Sequence, residues 1–333
     1  MKFLVTGAAG FIGANLSARL KNSGFDVLGV DNFSPYYSQD LKESRSIEFL
    51  VKNQIEFKRL DICDMKSIHS IVTSFKPQTI IHLAAQPGVR IPLKNSDQYI
   101  QNNLVAYSNI LQISVETKVP NFLYASSSSV YGNAIELPYR EDNLSIAPLS
   151  VYGATKLCNE VLAKAFVSMS ATKARGMRFF TVYGPWGRPD MAYFRIIDAA
   201  LNGSEFTRFG NGHVKRDFTY VDDVSSMIVS LALQLNDCSP GYSDVVNIGG
   251  GQPYSLNDLI QIIANQTSSK INVSEVADNP SDIQITSADV TRMLGLIGRI
   301  PEVKLELGIE NTIRWAKQSG ISEHLSKWID STM

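Results

Sequence analysis

A tyrosine and a lysine stand four residues apart in Tyr152-Gly153-Ala154-Thr155-Lys156. On a helix that spacing puts both side chains on one face. An ammonium beside a phenol favours the phenolate, so the pair suits a general base working near neutral pH. With 13 tyrosines in the chain, such a pair also arises by chance on a surface helix, and context has to decide. Upstream, the apolar stretch NFLYA runs into four serines, Ser126 to Ser129. A hydroxyl of ordinary acidity is a poor general acid or base, so their purpose is an open question at this point.

The context comes from the N-terminus, where Thr6-Gly7-Ala8-Ala9-Gly10-Phe11-Ile12-Gly13 joins a predicted strand to a predicted helix. Gly7 permits a tight turn, Gly10 lets a pyrophosphate approach the backbone, and Gly13 lets the helix lie close to the strand. The helix N-terminus offers free N–H groups and a positive dipole end to phosphates. Asp31 ends the second strand at close to the ~20-residue spacing of a ribose-binding acid. Its carboxylate would accept both ribose hydroxyls and repel a 2′-phosphate, which favours NAD over NADP. Lys42 and Arg45 lie nearby and are the residues that could hold such a phosphate. Asp61 and Ile62, after the third strand, are placed to flank the adenine. The candidate cofactor residues are therefore Gly7, Gly10, Phe11, Ile12, Gly13, Asp31, Asn32, Asp61 and Ile62, with Tyr152 and Lys156. An oxidised nicotinamide would add positive charge beside the phenol.

These residues need a frame. Strands are predicted over 2–6, 26–30, 55–59, 79–85, 121–126 and 177–182, with helices near 11–22, 64–75, 97–117 and 150–170. Short apolar runs alternating with helices indicate an α/β fold, a Rossmann-type doubly wound parallel sheet with both faces covered. After residue 180 the rhythm changes: YGPWGRPDM marks a crossover, and helices at 221–235, 255–266 and 304–319 dominate. The run VVNIG (245–249) is expected to return to the first sheet. The expected division is a dinucleotide domain over 1–178 with returning segments near 217–249. A smaller, interleaved C-terminal substrate domain covers 179–333. A length of 333 residues fits this. A net charge of −1 gives no case for nucleic acid or an anionic membrane. Cys63, Cys158 and Cys238 form no metal or disulfide pattern, and His69, His82, His213 and His324 are scattered. No run reaches the ~20 apolar residues of a membrane helix, and no secretory leader is visible, so a cytoplasmic protein is expected.

With these features in place, the chain resembles the extended short-chain dehydrogenase/reductase family over almost its whole length. The glycine loop, HLAAQ, SSSSVYG, Tyr152/Lys156 and RDFTYVDD carry the resemblance. Within it, VDNFSPYY, AAQPGVR, RFFTVYGPWGRPDM and KRDFTYVDD look like the UDP-glucuronate 4-epimerases. The resemblance implies that Tyr152 removes the 4-OH proton of a UDP-sugar, with Ser127 sharing it and Lys156 holding the nicotinamide ribose. The dehydratases and decarboxylases of the family carry acids where this chain has Ser128 and Ser129, which argues for epimerisation without loss of any group. Arg216 matches the diphosphate arginine. Thr181 stands where many relatives have asparagine. Phe206 is placed either against uracil or in the core. Arg188, then Arg90, are the candidates for the sugar carboxylate, with Arg188 paired to Asp190 as the alternative. Ser281 replaces the glycine of the family's Pro-Gly-Asp and leaves Asp282 without a role. His82 reads as a satisfied strand-end histidine. The alternatives are a 4-epimerase of a neutral UDP-hexose or UDP-N-acetylhexosamine, and a decarboxylase or dehydratase. A homodimer is expected through the helices near 97–117 and 150–170.

Overall fold

Near-continuous apolar strands cannot leave a face in water, so each must be sandwiched between helices. The computed structural model, which describes residues 1–89, 96–134, 136–143, 145–277, 283–318 and 320–331, shows that arrangement. Its strands are β1 (Lys2–Thr6), β2 (Asp26–Asp31), β3 (Glu56–Arg59), β4 (Thr79–His82), β5 (Asn121–Ser127) and β6 (Lys173–Phe179). They continue with β7 (Thr181–Tyr183), β8 (Phe206–Phe209), β9 (Lys215–Tyr220), β10 (Ser243–Ile248), β11 (Pro253–Ser255) and β12 (Val273–Val276).

Seven strands form a parallel sheet in the order β10-β6-β5-β4-β1-β2-β3. The order reverses at β1, where Thr6 lies opposite both Val30 and His82. Such a reversal opens a crevice at the carboxyl ends of the strands. One face is covered by the helices Phe11–Asn22 and Val221–Gln234, which bury Leu16, Leu20, Val224 and Ile228. The other is covered by the helices Met65–Phe75, Ala106–Glu116 and Val151–Val167, burying Ile68, Tyr107, Ile110 and Ala163. The predicted return of residues 245–249 is β10, paired with β6.

Three differences from the sequence reading bear on the site. The strand expected over 177–182 is split: β6 ends at Phe179, and β7 joins a separate sheet ordered β11-β9-β7. Phe180 between them is buried against Tyr131 and Tyr139, so an unbroken apolar run serves two sheets. The helix expected over 97–117 is widened by π-turns over Ile100–Val105. There Asn103 points inward, accepting from Gln86 N at 2.7 Å and donating to Gln86 O and to Thr155. Finally, the helix Gln39–Arg45, extended by π-turns over Ser46–Val51, is absent from the sequence reading. Leu41 within it and Tyr37 just before it pack into a second core with Phe194, Ile197, Leu259, Ile313, Trp315 and Trp328.

Candidate active site

The glycine loop is shaped by contacts with no room for a side chain. Gly7 has φ +73, and a Cβ on it would lie 2.7 Å from Ala84 N. A Cβ on Gly13 would lie 2.0 Å from the Gly7 carbonyl oxygen, so the helix Phe11–Asn22 sits directly on the strand end. Gly10 caps that helix without a side-chain hydrogen bond, and no acid stands in its first turn. The first-turn N–H groups are thus left for an anion. Asp31 closes the loop: Oδ2 accepts from Ala9 N at 3.0 Å and Oδ1 from Phe33 N at 2.7 Å. Asn32 donates to Asp61 Oδ2 at 3.1 Å, and Asp61 Oδ1 accepts from Cys63 N, which sets the edge where Ile62 lies. This cradle fits a dinucleotide. Lys42 is spent on the Ser34 carbonyl and Arg45 on carbonyls of another loop, so neither waits for a 2′-phosphate.

Across the crevice, β5 runs into a 3-10 turn at Ser128–Val130. Ser127 Oγ accepts from Ser129 N at 3.1 Å and donates to Ser129 Oγ at 3.2 Å. It also hydrogen-bonds the Tyr152 side chain. The helix Val151–Val167 starts at Ser150, whose hydroxyl accepts from Gly153 N at 3.0 Å. A Cβ on Gly153 would lie 2.6 Å from the Ser129 carbonyl oxygen, so this glycine lets Tyr152 reach the serines. Lys156 Nζ lies 5.8 Å from the Tyr152 ring centroid and donates to the Ala125 carbonyl at 2.9 Å.

The electrostatics differ from the expectation that Lys156 lowers the phenol. Burial pushes Tyr152 above the ordinary tyrosine range, and the Ser127 hydrogen bond and the Arg188 guanidinium act downward against it. Burial also pushes the Lys156 ammonium, which donates to the neutral Ala125 carbonyl, down to about 8. His82 is satisfied as expected: Nδ1 lies 2.8 Å from Thr6 Oγ1, and burial holds the ring near 3, hence neutral.

From residue 3 to 249 the chain matches the model of the NAD dependent epimerase/dehydratase family. It belongs to that family. It is 34% identical over 333 residues to a probable UDP-glucuronate 4-epimerase of Rhizobium meliloti (strain 1021), covering 96% of this chain and 98% of that one. It superposes with a TM-score of 0.88, at 35% identity, on the UDP-glucuronic acid 4-epimerase of Bacillus cereus, solved with UDP-glucuronic acid and NAD. That match covers 96% of this chain and 99% of the other. The UDP-glucose 4-epimerase of Thermotoga maritima, solved with UDP-glucose, gives 0.85 at 27% identity, with 96% and 99% covered.

In this epimerase-family chain, Ser127, Ser129, Tyr152, Lys156 and Arg188 come together, and Ser128 is half-buried in the same turn. Arg188 is not a free cation: its Nε donates to Asp190 Oδ1 at 3.0 Å and Nη2 to Oδ2, the pairing weighed as the alternative from sequence. Thr181 opens β7, half-buried and opposite Phe218 on β9. Arg216 stands on β9 and donates to the Ile283 carbonyl at 2.7 Å. Phe206 is 5% exposed in the second core, the packing alternative. Arg90 and Asp282 lie outside the described residues.

Sequence reasoning gave no role to several neighbours. Tyr36, from the quoted VDNFSPYY, shares an electrostatic environment with Tyr152, Arg188 and Asp190. Asp217, beside Arg216, accepts from Gly250 N, Gly251 N and Ala288 N at 2.7–2.9 Å, and burial raises it to about 6. Ser126, left without a role, donates to Glu160, which binds Arg178 through two bonds. Local patterns carry no signal for these links, whose partners are distant in the chain.

Proposed function

We propose that this protein interconverts UDP-glucuronate and UDP-galacturonate by inverting C4, with NAD as a retained cofactor. The observation carrying the reading is the Tyr152 phenol bonded to Ser127 and backed by Lys156, with hydroxyls and no acid at 128 and 129. Tyr152 takes the 4-OH proton, Ser127 bridging, and later returns it. Bound NAD would supply the hydride acceptor for C4 and, once the sugar has turned, the hydride donor to its other face. Gly7, Gly10, Phe11, Ile12, Gly13, Asp31, Asn32, Asp61, Ile62 and Lys156 hold the dinucleotide. Thr181 and Arg216 hold the substrate's diphosphate end while the sugar turns. Arg188 and the hydroxyls of Ser128 and Ser129 hold the sugar carboxylate, out of the orientation that would release carbon dioxide. Residues 1–178, with the returning segment, form the NAD domain, and 179–333 mainly the UDP-sugar domain. We place the enzyme in the cytoplasm, as a homodimer, in polysaccharide building.

Incubation with UDP-glucuronate, read by NMR, should show inversion at C4 with no carbon dioxide or water lost. Tyr152→Phe should cut turnover by about 10²–10⁴-fold while NAD stays bound. Loss of a carbon or of water would replace this reading with a lyase. The Arg188–Asp190 pair supports a second reading, in which the guanidinium is already neutralised and the sugar is a neutral UDP-hexose. Inversion of UDP-glucose and not UDP-glucuronate would establish it.

A further inference from the structure

The segment between β2 and β3 carries a cation that these roles do not use. Arg45 is fully buried, at the end of the helix Gln39–Arg45. Its Nε donates to the Trp186 carbonyl at 2.7 Å, Nη2 to the Gly187 carbonyl at 2.7 Å, and Nη1 to the Tyr37 hydroxyl at 2.5 Å. Among the described residues no carboxylate lies within ion-pair distance of it. Among those residues its hydrogen bonds go to neutral oxygens alone.

Both carbonyls belong to the loop that leads into Arg188. That loop has a backbone that local preference alone would not select: Trp186 has φ +62, and a Cβ on Gly187 would lie 1.5 Å from the Tyr193 hydroxyl. Arg45 grips it from one side. From the other, Trp186 packs against Trp315 and Trp328, with ring centroids at 5.3 and 6.4 Å. Arg45, Arg188 and Asp190 all act on the buried Tyr193 phenol, so the three charges share one water-poor region. Asp190 is paired with Arg188, and the buried Lys42 ammonium stands 4.5 Å from the Tyr37 ring that Arg45 also binds, so cations outnumber carboxylates in this cluster.

We infer that Arg45 is a positioning and charge-setting residue for substrate choice: it fixes the loop that carries Arg188 and gives it a surplus positive charge, favouring a sugar carboxylate over a neutral hexose. The inference rests on the proposed UDP-glucuronate site. It assigns no contact with substrate to Arg45. The surplus charge also answers the objection that Asp190 neutralises Arg188.

The chain's three tryptophans, Trp186, Trp315 and Trp328, all lie in this cluster, so their emission can follow binding. The NAD-loaded protein is titrated with UDP-glucuronate and with UDP-glucose. Arg45→Met should reduce the preference for UDP-glucuronate about tenfold, by weakening that ligand and leaving UDP-glucose nearly unchanged. Arg45→Lys, which keeps charge and loses the fork, should retain part of the preference. KM for UDP-glucuronate should rise more than kcat falls. Equal weakening of both ligands in Arg45→Met would reduce Arg45 to a structural clamp and overturn the inference. Should Arg45→Met fail to retain NAD, the near-isosteric Tyr37→Phe decides: a drop in preference of about twofold to threefold supports the inference, and an unchanged ratio overturns it. A protein that selects UDP-glucuronate in this titration but inverts nothing at C4 would refute the proposed function and leave the role of Arg45 standing.

Discussion

The base of the proposed reaction is a phenol whose burial works against it. Tyr152 is pushed up by desolvation, and the Ser127 hydroxyl and Arg188 bring it part of the way back. A general base must be deprotonated to act, so each downward contribution moves activity to lower pH. Ser127→Ala removes one of them. Its acid limb of kcat against pH should lie higher, by about 0.5–1 unit, and turnover at neutral pH should fall about tenfold. An acid limb that does not move would remove Ser127 from the proton path. Tyr152 and Lys156 were legible in the sequence because a four-residue spacing is a local property of a helix. Tyr36 was not, because only the folded chain brings residue 36 beside residues 152 and 188, whereas the Arg188–Asp190 pair is two residues apart and was weighed from the sequence.

At the level of elements, the glycine loop and the first helix act as one part. Gly13→Ala would put a methyl group 2.0 Å from the Gly7 carbonyl oxygen, and no rotamer change relieves a clash with backbone. The helix Phe11–Asn22 must then lift from β1. We expect a loss of about 1–3 kcal/mol of stability, seen in denaturant unfolding, together with loss of copurifying NAD. Retained NAD and an unchanged midpoint would show that the loop tolerates the shift and that the close contact is unimportant. The strands of the parallel sheet were readable because both faces are buried and their apolar runs are therefore continuous. The splitting of residues 177–182 between β6 and β7 was not, since the same apolar composition suits either sheet. The helix Gln39–Arg45 is short, and its last residue, Arg45, is tied to the carbonyls of residues 186 and 187, which no local pattern shows.

Over the whole molecule, three exposed apolar side chains mark the helices expected to pair two copies. Val161 is 61% exposed, Ile100 43% and Val105 39%. Isolated apolar residues on a surface are ordinary, but these occupy two neighbouring helices beside Tyr152. A dimer through them would buttress the catalytic helix. Val161→Asp should shift the protein from dimer to monomer in light scattering after gel filtration, and an unaltered protein that is already monomeric would refute the dimer. No described helix is long and apolar enough to cross a membrane.

The sequence by itself determined the dinucleotide cradle, the Tyr152–Lys156 pair, the missing acids at 128 and 129, and the parallel sheet that places them at one crevice. Each is written in short-range spacing, which backbone geometry converts directly into position. Only the tertiary structure decided which charges gather around the loop that leads into Arg188. Arg45 reaches the loop that leads into Arg188 and Asp190 because a helix after β2 is folded onto a loop after β7. Their effect depends on burial and mutual distance, which are properties of the packed chain.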